Sequence, residues 1–340
     1  MQYKFFIGVD VSKLTLDAAI ADELHLEPVE QVQVSNDDAG IERLFKWIKQ
    51  RISSSTDQIL FCMEPTGVYC YPLLQYLVKN NIAVWVENAV QIKRSMGLAR
   101  GKTDQTDARR IAEYAIRHQN KIRLWIPVRE AVEQLRHLAS LRERLVETRK
   151  RLLTPVEECR RMGNEAMAKV LSKAMNKSIR AIEKDIDGIE KKMKQIIDDD
   201  QGLKKIYQLV TSVVGIGFVT TVNLIIHTNE FTRLTDVRKL ACYCGVAPFA
   251  YRSGTSVRGK TRVHPMANKK LKTYLHMASL TGIKLDEELK NYFERKVAEG
   301  KNKMSVLNAV RNKLLARVIA VVKRGEPYQK NNYETCLVLS

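Results

Sequence analysis

Lys102-Thr103-Asp104-Gln105-Thr106-Asp107-Ala108 opens a strongly helical run that continues from Ala108 to Arg117. On a helix, residues at i and i+3 share one face, with Cβ atoms about 5–6 Å apart. Asp104 and Asp107 are then two like charges side by side, and such a pair calls for a counter-charge. A divalent metal would supply it. The plainer reading makes Asp104 a helix N-cap, with Thr103 or Thr106 as competitors. Two acids upstream bear on the choice. Asp10 ends the apolar run Phe5-Phe6-Ile7-Gly8-Val9, and Glu64 ends Ile59-Leu60-Phe61-Cys62-Met63. Both runs read as strands. If those strands are neighbours, both carboxylates emerge at one end of a sheet, where ligands of open α/β sheets collect. A lone Asp at a strand end is usually a turn residue. The set Asp10, Glu64, Asp104 and Asp107 shifts the balance toward Mg²⁺ (or Mn²⁺), hard cations that take oxygen ligands.

Outward from these acids, the first 128 residues read as α/β. Leu14 to Ile20 follows the first strand closely enough to pair with it as a hairpin, and Val32-Gln33-Val34 is a candidate third strand. Asp37 or Asp38 caps a helix whose face carries Ile41, Leu44, Phe45 and Ile48. Pro65 and Gly67 mark a turn after Glu64. Tyr71 to Val78 reads as helix with Pro72 in its first turn, and Ile82 to Val86 as a further strand. Strands first, then strand and helix in alternation, suit a mixed sheet flanked by helices.

The remainder divides again, giving parts at 1–128, 129–200 and 201–340. Ile179, Ile182, Ile186, Ile189, Met193 and Ile196 recur at spacings of 3, 4, 3, 4 and 3, a heptad seam. Leu138, Leu141, Leu145 and Leu152 form a similar stripe before it. The two helices suit an antiparallel coiled-coil hairpin or a dimer seam, as scaffold or as oligomerisation arm. Residues 201–340 read as mainly helical. Val214-Gly215-Ile216-Gly217 resembles a helix-hairpin-helix turn, in which backbone N–H groups at a helix N-terminus meet DNA phosphates, although an ordinary helix–helix turn has the same pattern. The stretch from Gly245 to Asn268 lacks periodicity and reads as a polar loop.

Charge follows the same division. The chain of 340 residues carries a net +19, of which residues 1–128 contribute +1, 129–200 contribute +3 and 201–340 contribute +15. The acids thus concentrate in the first half of the chain, and the surface that attracts polyanions in the last part, which favours a nucleic-acid partner. No apolar run reaches 18 residues, so no membrane span is expected, and no signal-peptide pattern opens the chain; a cytoplasmic protein is the expectation. The six cysteines are scattered, and Cys242-Tyr243-Cys244 is too tight for a zinc knuckle.

Within the polar loop, Ala247 to Arg262 holds Arg252, Ser253, Gly254, Thr255, Ser256, Arg258, Lys260 and Arg262. Gly254 permits a sharp turn and close backbone approach to a phosphate. The residues allow two readings. Ser253, Thr255 and Ser256 would donate to a phosphate, or Ser253 would act as a nucleophile activated by nearby cations, although no histidine-based triad is visible.

An apolar strand ending in Asp, another ending in Glu and a D-x-x-D helix together resemble the RNase H-like (RuvC-like) nuclease and transposase fold. The ordered set is more specific. G-V-D-V-S-K at 8–13, M-E-P-T-G at 63–67, K-T-D-Q-T-D-A at 102–108, V-G-I-G at 214–217 and G-V-A-P-x-x-Y-x-S-G-T-S-V-R-G-K at 245–260 occur in that order. They resemble the DEDD-type insertion-sequence transposases, which include the Piv-type DNA invertases, over about residues 5–325. The resemblance implies an N-terminal RuvC-like domain, a coiled-coil arm and a C-terminal, mainly α transposase domain. It implies Asp10, Glu64, Asp104 and Asp107 as metal ligands, and Ser253 as a nucleophile that links covalently to a DNA strand. It also implies a homo-oligomer with the metal site and the serine from different protomers and, as in at least some members, a structured guide RNA that pairs with donor and target double-stranded DNA. Arg252, Arg258, Lys260 and Arg262, with Gly254, Thr255, Ser256, Gly215 and Gly217, are the expected nucleic-acid contacts. The alternatives are a RuvC-like nuclease using water, a site-specific invertase and a non-catalytic nucleic-acid scaffold.

Overall fold

The computed structural model describes residues 3–22, 30–95, 104–253 and 257–329, without the side chains of 104–105, 249–253 and 257–262. The chain forms two compact units, Met1–Pro127 and Val128–Ser340.

The first unit is α/β. In chain order it holds β1 (Phe5–Val11), β2 (Thr15–Asp22), β3 (Glu30–Ser35), α1 (Asp38–Arg51), β4 (Ile59–Met63), α2 (Tyr71–Lys79), β5 (Ala83–Val86), α3 (Ala89–Ser95) and α4 (Asp104–Arg117). The sheet order is β3-β2-β1-β4-β5. β1, β2 and β3 form an antiparallel meander, and β1, β4 and β5 run parallel. The strands β1 and β4 are therefore neighbours, which is the condition the sequence left open.

Successive side chains of a strand take opposite faces. Ile7, Val9, Phe61 and Met63 join one core with Ile41 and Leu44 of α1 and Leu73 and Leu77 of α2. Phe6, Leu60, Cys62 and Trp85 join another with Ala108, Ile111, Ala112 and Ala115 of α4. Gly8 explains how closely α4 lies on the sheet. A Cβ at Gly8 would stand 2.2 Å from the Ala112 backbone N and 2.3 Å from the Ala108 carbonyl O. Only glycine lets the helix backbone rest directly on β1.

The second unit is mainly helical: α5 (Glu130–Arg161), α6 (Glu165–Asp199), α7 (Gln201–Thr211), α8 (Phe218–Thr228), α9 (Val237–Tyr243), the hairpin strands β6 (Phe249–Ser253) and β7 (Val257–Arg262), α10 (Lys269–Leu285), α11 (Glu287–Ala298) and α12 (Lys303–Arg324). Arg142–Glu190 at 2.6 Å and Arg149–Glu183 at 3.1 Å fix α5 against α6. One heptad forward on α5 matches one heptad back on α6, so the helices run antiparallel. Of the expected seam, Ile186 and Met193 are buried, while Leu141 is 47% exposed and falls outside the packed stripe. The base of this pair, at Val132, Leu135, Met193 and Ile197, joins the core of α7 to α12, whose centre is Val310, Leu314 and Val318. Among the described residues no helix is long and apolar enough to cross a membrane.

The structure departs from the sequence reading at 245–268. The apparent loop contains a two-stranded antiparallel hairpin, with Phe249 opposite Arg262 and Ser253 opposite Val257. Phe249, Tyr251, Val257 and Thr261 are strand formers, but interleaved cations hide their alternation. A register shift between Phe249 and Tyr251 breaks the period further.

Candidate active site

Strand register brings two of the expected acids together. β1 and β4 pair in parallel up to Val9 opposite Met63, so Asp10 and Glu64 are the next positions on adjacent strands. By alternation both take the face covered by α4, the face of Phe6, Gly8, Leu60 and Cys62. Local bonds hold the turns on either side. The Ser12 hydroxyl accepts from the Thr15 amide at 2.9 Å. The Asn36 side-chain amide donates to the carbonyls of Ser12 at 2.8 Å and Tyr69 at 3.0 Å. After Glu64, the Thr66 amide donates to Cys70 Sγ at 3.1 Å, and that thiol donates to the Glu64 carbonyl at 3.4 Å.

α4 brings the third acid. Burial holds the Glu64 carboxyl above the usual carboxylate range; Lys93 pulls it down, and Asp107 pushes it up. Glu64 and Asp107 thus share one electrostatic site, where the main cost is desolvation of a charge and the neighbouring cation offsets only part of it. Asp107 also accepts from Arg110 at 3.1 Å, a partly exposed i,i+3 pair on its own helix. Asp104 is the first helical residue, one turn before Asp107, and its side chain lies outside the described residues.

Two further acids, not singled out from the sequence, lie on the same face. Asp17 on β2 is opposite Asp10 in register. It is 2% exposed, and its carboxylate oxygens accept from Gln33 Nε2 at 3.0 and 3.1 Å. The available signal was a carboxylate inside an otherwise apolar strand, Leu16-Asp17-Ala18. Glu87 follows β5, the third parallel strand, and its amide donates to the Met63 carbonyl at 3.0 Å. Burial first, then Glu87, push the Tyr114 hydroxyl on α4 up to about 12. An acid at or just past the end of each of three parallel strands, Asp10, Glu64 and Glu87, was a repeat legible in the sequence.

Carboxylate oxygens are the donors that a hard divalent cation takes, and at Glu64 burial, with Asp107 beside it, disfavours the bare charge. Among the described residues no group of three or more His, Cys, Asp or Glu is arranged to hold a metal ion. Asp10, Glu64 and Asp107 are all described and do not by themselves form such a group; the side chain of Asp104, the fourth expected ligand, lies outside the described residues.

The second candidate region is the hairpin. Ser253 ends β6, and Gly254, Thr255 and Ser256 of the turn lie outside the described residues. Arg252 and Arg258 are register partners, and Lys260 and Arg262 follow on β7. The two glycines of V-G-I-G differ in role. At Gly215 a Cβ would stand 2.6 Å from the Ala278 carbonyl on α10, and φ is +95°, so both packing and backbone conformation call for glycine. Gly217 caps α8 with open space around it.

Comparison with known proteins gives two family matches in chain order. A DEDD-type model described as a transposase matches residues 7–159, and the model of the Transposase IS116/IS110/IS902 family matches residues 207–294. The "Pilin gene-inverting protein" of Moraxella bovis is 26% identical over 335 residues, covering 97% of this chain and 99% of the relative. The protein of that name from Moraxella lacunata matches to the same extent. The "Insertion element IS110 uncharacterized 43.6 kDa protein" of Streptomyces coelicolor is 26% identical over 121 residues, 36% of this chain and 30% of the relative.

Proposed function

The chain belongs to the DEDD-type insertion-sequence transposases and recombinases, and from this premise we propose that it excises and inserts a mobile DNA element through a covalent serine–DNA intermediate. What supports the reading is that Asp10 and Glu64 occupy adjacent positions of the neighbouring strands β1 and β4, and that Asp107 on α4 acts electrostatically on Glu64. The first unit is read as RNase H-like (RuvC-like), with Asp10, Glu64, Asp104 and Asp107 as ligands for Mg²⁺ or Mn²⁺. When bound, the ion supplies Lewis-acid stabilisation of negative charge at the scissile phosphate.

The chain's own residues do the rest. The Ser253 hydroxyl gives up its proton and attacks phosphorus. A phosphoserine ester forms as one phosphorus–deoxyribose bond breaks, and the departing oxygen leaves as a free hydroxyl after taking up a proton. The ester conserves the phosphodiester bond for rejoining to another strand. Arg252, Arg258, Lys260 and Arg262 neutralise charge on the backbone and at the reacting phosphate. Gly254, Thr255, Ser256 and the α8 end at Gly217 supply further backbone contacts, with Gly215 setting the turn. The working form is a homo-oligomer on double-stranded DNA, and a structured guide RNA reads sequence by pairing.

The test is a supercoiled plasmid carrying the flanking DNA of the gene, incubated with the chain, its co-purified RNA and Mg²⁺. A protein–DNA adduct that survives denaturation is expected, absent in Ser253→Ala although that variant still binds DNA. Asp107→Asn, or chelation of the metal, should abolish strand cleavage. An adduct in Ser253→Ala sinks the nucleophile, and cleavage without metal sinks the acid site. A second reading, site-specific inversion, is favoured by the near full-length likeness to the pilin gene-inverting proteins. It predicts an inverted segment between flanking sites rather than an excised element.

A further inference from the structure

The second unit contains a cavity of about 560 Å³ at the root of the hairpin. Pro248, just before β6, and Val263, just after β7, form one side; Lys272 and His276 of α10 and Ser305 and Arg311 of α12 form the others. Arg311 is 4% exposed. One of its terminal nitrogens donates to Asn308 Oδ1 at 3.2 Å and the other contacts His276 Nδ1 at 2.8 Å, while its Nε has no hydrogen-bond partner among the described residues.

A guanidinium offers five N–H donors and accepts nothing. Here its partners are neutral. Because a guanidinium can only donate, His276 Nδ1 accepts from it, and burial, then the Arg311 charge, hold that ring below the usual histidine range. Burial alone acts on Arg311, lowering its pKa with no acid opposing it. Arg317 on the same helix shows the ordinary solution, with Asp286 at 2.7 Å and Glu288 at 2.6 Å. A buried cation without a counter-ion is costly, whereas the same group in a roomy cavity is a ready anion receptor. Among the described residues no acid lines the cavity, and Lys272 adds a second cation. The site is also tied to the hairpin root, because the Asn308 side-chain amide donates to the Val246 carbonyl at 2.6 Å.

We propose that this cavity holds one backbone phosphodiester of the nucleic-acid strand that the Ser253 hairpin engages, with Arg311 as its buried charge and Lys272 and Ser305 at its mouth. The proposal rests on the nucleic-acid reading of the second unit but not on the serine chemistry. A phosphate seated there would anchor the strand at the foot of the hairpin, and the chain Arg311–Asn308–Val246 would link its presence to the position of β6.

The test uses the full chain and three fluorescent oligonucleotides of one sequence: duplex DNA, single-stranded DNA and RNA. Arg311→Met should weaken binding of at least one of them about tenfold, the loss expected for a charge-assisted bond, and lower the slope of log K against log salt by about one. Lys272→Ala should weaken the same oligonucleotide. Lys323→Met, which removes the same charge from an exposed position on α12, should change it less than about twofold, as a distant screened charge does. The oligonucleotide most affected identifies the strand. A folded Arg311→Met protein with wild-type affinity and slope for all three overturns the site. If that variant does not fold, unchanged binding by Lys272→Ala overturns it. Arg311-dependent binding without any Ser253 adduct removes the recombination chemistry and leaves the site; an adduct with Arg311-independent binding does the reverse.

Discussion

Gly8 shows how one residue positions the acid site. It lies on the same strand face as Asp10 and below α4, where the nearest backbone atoms leave no room for a Cβ. Gly8→Ala must push α4 away from β1 and carry Asp107 away from Glu64. Overpacking of this kind costs about 1–3 kcal/mol or more, read as a lower urea midpoint with an unchanged m-value. Wild-type stability in Gly8→Ala would mean that α4 does not rest on the strand. The identity of Asp10, Glu64, Asp104 and Asp107 was visible as a pattern of acids after apolar runs. The role of Gly8 was not, because a glycine in a strand signals a bulge as readily as a close approach. Arg311 was equally silent, since in the sequence it is one of 57 Lys and Arg residues and its burial depends on helices far apart in the chain.

At the scale of elements, amphipathic helices were the most legible feature. The face Ile41, Leu44, Phe45 and Ile48 is buried as read, and Asp37 caps α1 through the Gly40 amide at 2.7 Å. The hairpin β6–β7 was not legible, because cations at alternate positions and a register shift mask a two-residue period. The junction of α8, α9 and α10 carries a titration that the sequence could not forecast. His227 Nδ1 lies 3.1 Å from the Tyr243 hydroxyl, with Asn268 beside it. Burial, then Arg136 and Lys270, hold its pKa below the usual 6.5, against the opposing pull of Glu143. The folded state thus binds this proton less tightly than the unfolded chain. Its contribution to stability is complete above about pH 6.5 and is lost as pH falls through the lowered folded value. Melting temperature should fall between pH 7 and 5, and His227→Gln should flatten that fall. Parallel profiles for the two proteins would contradict it.

For the whole molecule, the charge asymmetry sets how it meets nucleic acid. Residues 201–340 carry +15 of the net +19. If that surface neutralises about six phosphates, log K for duplex DNA should fall with log salt at a slope near −5, roughly a thousandfold between 50 and 200 mM salt. Fluorescence anisotropy across that range gives the slope; a value near −1 would mean that the charge is not used in binding.

The sequence by itself determined the family, through five motifs in fixed order, and the chemistry of its candidate groups, because residue type fixes what each side chain can donate, accept or carry. It also determined most helices and strands, because the period of apolar residues is a local property. Only the tertiary structure decided that β1 and β4 are neighbours, that Asp107 acts on Glu64, that Asp17 and Glu87 share their face, and that Arg311 is buried with no acid paired to it among the described residues. Each of these depends on strand register, on backbone approach or on desolvation. All three arise between segments distant in the chain, where no local pattern records them.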